Sequence, residues 1–133
     1  MASFHLKVLT VERCFYDDDV DRIVVRTSTG DIGILPTHVP YTAALGVGGL
    51  TIIKNGQKRF AAVSGGFLDV SKEQTVILAR TCEWSEEIDV NRAKEAENRA
   101  RARLQQKDGA KEYNAARVKL HKAVNRIRIA EHK

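Results

Sequence analysis

Basic side chains at helical spacing are the first chemical feature of this 133-residue chain. Arg92, Arg99 and Arg103 follow one another at intervals of seven and four residues, which places them on one face of a helix. Arginine binds phosphate through a fork of parallel N–H donors, and lysine adds a point charge. The pattern therefore favours recognition of an anion. A second basic run follows at Arg117, Lys119, Lys122, Arg126 and Arg128.

Two carboxylates accompany the first of these arginines. Glu83 and Asp89 lie just before Arg92, at the point where a helix should begin. Asp89 is a favourable N-cap because its carboxylate lies at the positive end of the helix. It could also fix the arginine one turn further on. An alternative role for Arg92 is an ion pair at the helix start with Glu83 or Asp89.

The basic helices are open to four interpretations. They could carry a solvated charged face, contact the phosphates of a nucleic acid, reach an acidic protein surface, or hold a small anion such as a nucleotide. The acidic character of the preceding residues and the lack of RNA-binding aromatic motifs argue against nucleic acid.

Catalytic and metal-binding motifs are absent from the sequence. There is no GxSxG, Walker A, HExxH or GxGxxG pattern. The acidic run Asp17 to Asp21 lacks the glycine and final glutamate of a calcium loop, so we expect a solvated acidic turn. Cys14 and Cys82 form no CxxC pair, which argues against zinc and suits a reducing compartment. We expect a solvated or loop position for each of the four separated histidines, His5, His38, His121 and His132.

The charge changes sign along the chain. Residues 1–88 contain 9 Lys and Arg against 11 Asp and Glu, a net charge of −2. Residues 89–133 contain 13 against 6, a net charge of +7. This asymmetry suggests two units with different partners. No apolar run is long enough to span a membrane and no signal peptide is evident, so we expect a cytoplasmic protein that could dock on a membrane-bound complex.

The first part of the chain has the pattern of a β-sandwich or barrel. Turn signals recur about every 8–12 residues between short apolar runs. Asn55-Gly56 predicts a tight hairpin, and the prolines of 36–40 predict a loop. Glycines at 46–49 and 65–66 predict two further breaks. The predicted strands are 4–8, 22–26, 32–35, 50–54, 58–63, 67–70 and 75–79.

The last part has the periodicity of two helices. Asp108-Gly109 interrupts the pattern, which predicts an antiparallel helical hairpin. An alanine-rich seam buries little area, so the hairpin should be marginal alone and is a candidate moving part. The predicted seam comprises Ala93, Ala96, Ala100 and Leu104 on the first helix, and Tyr113, Ala116, Leu120, Ala123, Ile127 and Ala130 on the second.

Several motifs in chain order carry a family resemblance. Residues 88–93, Ile-Asp-Val-Asn-Arg-Ala, resemble the I/L-D-x-x-R-A motif of the epsilon subunit of bacterial F-type ATP synthase. Residues 33–40 resemble the GILPxHxP loop of that family, and residues 63–70 resemble its SGGFLEV hairpin, with Asp69 where glutamate is common. Residues 123–131 resemble the end of its second helix. The resemblance covers essentially the whole chain.

The resemblance implies a non-catalytic subunit of the rotating central stalk. It implies a flattened β-sandwich over residues 1–84, docked on the gamma subunit and the c-ring, and a two-helix regulatory domain over residues 88–133. Such subunits couple ion-driven rotation to ATP synthesis and restrain ATP hydrolysis when their helices extend towards the alpha and beta subunits. They are peripheral on the cytoplasmic face of the membrane. The resemblance implies no cofactor, metal or nucleic acid.

In some bacterial members the folded hairpin binds one ATP as a regulatory ligand. Ile88 and Ala93 would offer apolar surface to the purine. Lys122 replaces the arginine of some ATP-binding relatives and could meet phosphate only as a point charge. A rival interpretation is a stand-alone module that senses nucleotides or binds nucleic acid through a basic helical arm. The residues that correspond by position to the ATP site are Glu83, Ile88, Asp89, Arg92, Ala93, Arg99, Lys122 and Arg126.

Overall fold

The computed structural model describes residues 2–106 and 110–131, so the predicted break at Asp108-Gly109 and His132 lie outside the described residues. The chain divides into two compact units, Met1–Trp84 and Ser85–Lys133. The described part of the first unit contains seven strands: β1 Phe4–Leu9, β2 Cys14–Val20, β3 Arg22–Thr27, β4 Gly30–Ile34, β5 Tyr41–Lys54, β6 Gln57–Val70 and β7 Thr75–Trp84.

The first unit is the predicted β-sandwich. Its strands form a single sheet in the order β2-β1-β7-β6-β5-β3-β4, antiparallel except between β1 and β7. The sheet folds over on itself, since β2 also lies against β5, which is not its neighbour in that order. Alternating apolar side chains fill the interior because strand side chains point to opposite faces in turn. Residues of this core include Leu6, Val8, Ile23, Val25, Ile34, Leu50, Ile52, Leu68 and Ile77.

The predicted Asn55-Gly56 hairpin is confirmed. Asn55 has a φ of 53° and Gly56 a φ of 77°, the left-handed pair that a tight two-residue turn requires. The Asn55 backbone N–H also donates to the Asp21 carboxylate at 2.9 Å, which ties this turn to the residue that follows β2.

The two glycine-rich breaks predicted within the sheet are wrong. β5 runs through residues 46–49 and β6 runs through residues 65–66. The glycines allow close approach instead: a Cβ on Gly48 would lie 2.3 Å from the Cβ of Arg26, and one on Gly66 would lie 1.9 Å from the Leu78 carbonyl oxygen. These glycines therefore keep long strands paired rather than ending them.

The acidic run was predicted to be a solvated turn, and that is also wrong. Asp17, Asp18 and Asp19 lie within β2, whose pairing with β1 places Asp19 opposite His5. Asp18 forms an ion pair with Lys54 of β5, an interaction that lowers the pKa of Asp18 and raises that of Lys54. Cross-strand partners thus make the carboxylates compatible with a strand.

His5 is solvated, as expected, but it lies in strand β1 rather than in a loop. Its Nε2 lies 2.5 Å from Asp17 Oδ1 and its Nδ1 lies 2.9 Å from Asp19 Oδ1. These hydrogen bonds, that to Asp19 first, raise the pKa of His5 above 6.5.

The described part of the second unit contains the short 3-10 helix η1 Ser85–Glu87 and the helices α1 Val90–Gln106 and α2 Ala110–Ala130. The two long helices pack together along the alanine seam, where Ala93, Ala100, Ala116 and Ala123 are at most 2% exposed. Tyr113 does not belong to this seam, because it is 43% exposed. No described helix is both long and apolar enough to cross a membrane.

The buried face of α2 is wider than a heptad seam. Asn125 and Ile129 are buried as well, 4% and 5% exposed. α2 contacts η1 in addition to α1, so more than one side of the helix is covered. The Oδ1 atom of Asn125 accepts a hydrogen bond from Arg128 at 3.1 Å, which satisfies a buried polar group.

Candidate functional site

A basic groove lies between the two helices of the second unit. Its volume is about 380 Å³, and it is lined by Ala96, Ala100 and Ala123 together with Arg99, Arg103, Lys119, Lys122 and Arg126. Ala100 and Ala123 are buried. Their small side chains leave space between the helices, and the long basic side chains border that space.

Helical spacing explains why these residues share one groove. On α1, Arg99 and Arg103 are four residues apart, and on α2, Lys119, Lys122 and Arg126 are three and four apart. Residues at these intervals lie above one another on a helix. Because the seam alanines alternate with them, the face that packs the helices together also presents the cations.

The electrostatics of the groove favour an anion. The described side chains that line it include five cations and no carboxylate. Among the described side chains, four of these cations, all except Arg126, have no ion pair. The nearby Arg101 instead pairs with Glu97 at 3.5 Å, and neither lines the groove. Like charges held together repel, so a polyvalent anion would stabilise this arrangement.

Three of the predicted ATP-site residues, Arg99, Lys122 and Arg126, come together in this groove. Arg103 and Lys119 also line it, although the site prediction left them out. Their spacing from Arg99 and Lys122 was a signal that could have identified them, since each lies three or four residues from a predicted member.

The start of α1 confirms Asp89 as the N-cap. Asp89 Oδ1 accepts the backbone N–H of Arg92 at 3.2 Å, and the Asp89 carbonyl accepts that of Ala93 at 3.0 Å. No ion pair within 4 Å joins the described side chains of Asp89 and Arg92. The carboxylate therefore acts on the backbone of the first turn.

The remaining predicted residues lie outside the groove lining. Ile88 and Ala93 are buried, 4% and 0% exposed, so their side chains present little surface to a purine in this structure. Arg92 is exposed, and Glu83 belongs to β7 in the first unit. Among the described residues, no cluster of His, Cys, Asp and Glu is arranged to hold a metal ion.

Comparison with known proteins matches both units. The model of the ATP synthase delta/epsilon chain beta-sandwich domain matches residues 3–85, and that of the delta/epsilon chain long alpha-helix domain matches residues 86–131. The ATP synthase epsilon chain of Caldicellulosiruptor bescii is 46% identical over 131 residues, which are 98% of this chain and 96% of the relative. That of Bacillus velezensis is 40% identical over 130 residues, 98% of each chain. The chain belongs to the ATP synthase epsilon-chain family.

Solved structures show the same fold. A chain of the Euglena gracilis mitochondrial ATP synthase, in an OSCP/F1/c-ring structure, matches with a TM-score of 0.84 at 24% identity, covering 94% of this chain and 79% of that one. A chain of the Tetrahymena thermophila mitochondrial ATP synthase, in a central stalk and c-ring structure, matches with a TM-score of 0.66 at 15% identity and covers 95% of each. The fold of this chain, with its strands and both helices, therefore recurs in these two solved structures.

Proposed function

We propose that this chain is a non-catalytic subunit of the central stalk of F-type ATP synthase, which couples ion-driven rotation to ATP synthesis and restrains ATP hydrolysis. The observation that carries the proposal is the match of both epsilon-chain domains, in order, over residues 3–131. Its partners are the gamma subunit, the c-ring and the alpha and beta subunits. It lies peripherally at the cytoplasmic face of the membrane, without nucleic acid.

An exposed apolar patch supports a docking role for the sandwich. Phe67 and Leu78 are 61% and 51% exposed and lie opposite each other on β6 and β7. Ala44 of β5 is the other partner of Phe67, so apolar side chains continue across the strands. Adjacent exposed apolar side chains are typical of protein–protein contacts. The proposed contact is with the gamma subunit and the c-ring.

The basic helices suit the restraint of hydrolysis. Residues 89–133 have a net charge of +7, which suits contact with acidic surfaces of the catalytic subunits. Deleting residues 89–133 should leave the copurification with gamma intact and raise ATP hydrolysis by the assembled complex. The increase should shrink at high salt, because exposed charge pairs are screened within about 8 Å at physiological ionic strength. Unchanged hydrolysis after the deletion would count against the inhibitory role, and loss of copurification would count against the stalk assignment.

The proposed regulatory ligand is ATP, with no other cofactor. The groove supports this, because Arg99, Lys122 and Arg126 surround a space without a described carboxylate. ATP that binds only the compact hairpin would stabilise it by about 2.7 kcal/mol at a hundredfold excess over Kd. That energy is large compared with the stability expected of a helix pair whose seam is mainly alanine and buries little apolar area. A fall in ATP would then favour the extended, inhibitory form.

Calorimetric titration of the full chain with ATP tests this proposal. Arg99→Gln should weaken ATP binding by about 1.5–3 kcal/mol, because a charged donor is lost. Arg101→Gln is the matched control, since it removes the same charge from the same helix outside the groove. Arg92→Ala tests separately whether the start of α1 contributes to ATP binding, as the family resemblance implies, and should weaken that binding. No heat of ATP binding, or equal losses in the Arg99 and Arg101 variants, would contradict the regulatory-ligand proposal and leave the stalk assignment standing.

A further inference from the structure

The end of β7 lies at the connection between the two units. β7 ends at Trp84, the last residue of the first unit, and the second unit begins at Ser85. Among the described residues, the pairing of β7 with β1 stops at Leu78, so residues 79–84 pair with β6 alone. A strand segment that is paired on one side separates more readily than a central one, because fewer backbone hydrogen bonds hold it. Movement of the helices would therefore act first on these residues.

Three other side chains hold the Trp84 ring. The Phe15 ring stacks on it with the ring centroids 4.3 Å apart, and the Tyr16 ring meets it edge-on at 6.0 Å. The guanidinium carbon of Arg59 lies 3.6 Å from the centroid of the Trp84 ring, which is within the range of a cation–π interaction. We call these four residues the Trp84 cluster. Because Trp84 is only 9% exposed, this cation–π interaction should be stronger than one at a fully solvated site.

The position of Arg59 on β6 explains its contact with Trp84. The pairing of β6 with β7 ends at Ala61 and Trp84, although β6 itself begins at Gln57. Arg59 is two residues from Ala61 on the same face of β6, and a long side chain at such a diagonal position reaches the neighbouring strand. Phe15 reaches the same ring from β2. Side chains therefore hold β7 at the point where its backbone pairing stops.

The residues that follow Trp84 are held more weakly. Ser85–Glu87 form the 3-10 helix η1, and Asp89 caps the start of α1. A 3-10 helix has poorer hydrogen-bond geometry than an α-helix, and such turns often mark a hinge. The hydrogen bond from the Ile88 N–H to the Ser85 carbonyl is accordingly long, at 3.4 Å. Residues 85–89 thus form a short, weakly bonded connection between a strand and a regular helix.

We propose that the Trp84 cluster anchors the end of β7 and confines movement of the hairpin to a pivot at residues 85–89. This inference rests on the proposed change between compact and extended forms. The anchor limits the reach of the helices. Release of residues 79–84 would add six residues to the connection, about 20 Å of extended chain. With the cluster intact, the connection comprises only the pivot.

Limited trypsin digestion of the full chain, with mass spectrometry of the products, tests the anchor. Arg80 is exposed within β7, so cleavage after Arg80 measures how often this segment separates from β6. When the strand closes faster than it is cut, the cleavage rate follows the population of the open state. Arg59→Gln removes the cation over the ring and should raise this rate about threefold or more. Arg59→Lys should retain part of the protection, because it keeps a cation.

A matched control separates the anchor from a loss of charge. Arg22→Gln removes the same charge from an exposed position on β3, outside the Trp84 cluster, and should leave cleavage after Arg80 unchanged within about 1.5-fold. Amide hydrogen exchange in β3 and β5 should be the same in both variants, because the anchor acts locally. Equal cleavage after Arg80 in the two variants, or faster exchange throughout the sandwich of Arg59→Gln, would overturn the anchor.

Hydrogen exchange in the native chain locates the pivot. Amides of residues 85–89 should exchange at least about tenfold faster than those of residues 81–84, which pair with β6. If the two segments exchange equally fast, the end of β7 moves with the connection and the proposed pivot is wrong.

The anchor and the proposed function fail in different ways. If deletion of residues 89–133 leaves hydrolysis unchanged while Arg59→Gln exposes Arg80 to trypsin, the anchor stands and the restraint of hydrolysis is wrong. If the deletion raises hydrolysis while Arg59→Gln is cleaved like Arg22→Gln, the restraint stands and the anchor is wrong.

Discussion

At the scale of single residues, the most informative group is His5 between two carboxylates. Both ring nitrogens face carboxylate oxygens, of Asp17 and Asp19, and only the protonated ring can donate from both. The hydrogen bonds to Asp19 and Asp17 accordingly raise the pKa of His5. The protonated His5 ring thereby stabilises the pairing of β1 with β2. This stabilisation depends on pH because the ring must carry the proton.

The sign of that dependence follows from the raised pKa. The contribution of His5 to the free energy of unfolding should be fully present below about pH 6.5 and lost as pH rises through the folded-state pKa. Urea unfolding, followed by the fluorescence of the single tryptophan, Trp84, should show this loss in the native chain. His5→Gln should remove it, while His38→Gln serves as the control and should retain it. If the free energy of unfolding of His5→Gln depends on pH in the same way as that of the native chain, the assignment to His5 is wrong.

At the scale of elements, long strands depend on glycines that a propensity argument treats as breaks. Gly66 has a φ of 121° and lies opposite Ala79 of β7, with the Leu78 carbonyl where a side chain would begin. β7 must approach this closely to continue its pairing with β6. The strand pair therefore requires glycine for space as well as for backbone conformation.

Substitution of Gly66 should lower the free energy of unfolding far more than substitution of Gly56 in the hairpin turn. Gly66→Ala should lower the free energy of unfolding by more than about 3 kcal/mol, because the β6–β7 backbone must move. Gly56→Ala should cost about 1–2 kcal/mol, since only its positive φ is unfavourable and no heavy atom lies within 4 Å of the added carbon. Chemical denaturation of both variants compares the two costs. Equal costs would show that backbone conformation alone explains the glycine at position 66.

At the scale of the whole molecule, two units with different kinds of core share one chain. The first is filled by large aliphatic side chains from several strands, whereas the second packs two helices mainly through alanines. Burial of apolar area contributes about 25 cal/mol per Å², so alanines stabilise much less than leucines or isoleucines. The hairpin should therefore be the less stable unit.

Truncation tests this difference. Residues 1–84 should fold as an isolated fragment, because the sandwich core lies within them. In the full chain, amide hydrogens of α1 and α2 should exchange faster than those of β5 and β6, since local opening requires less energy where little apolar area is buried. An unfolded 1–84 fragment, or protection that is uniform along the chain, would contradict a two-unit description.

The amino-acid sequence alone determined the features that depend on neighbouring residues. Short apolar segments between turn signals predicted strands such as β1 and β3, Asn55-Gly56 predicted the hairpin, and Asp89 predicted the start of α1. The alanine periodicity predicted the helix pair. These features follow from backbone preference, capping and the period of side-chain burial, all of which act over a few residues.

Only the tertiary structure decided the features that depend on distant partners. The acidic run became a strand because His5 and Lys54 lie across from it, and Gly66 stayed within a strand because β7 packs against it. Arg103 and Lys119 joined the groove because α2 returns along α1. Sequence spacing shows which residues share a face of one element, but only packing shows which faces meet, and the basic groove exists only where two faces meet.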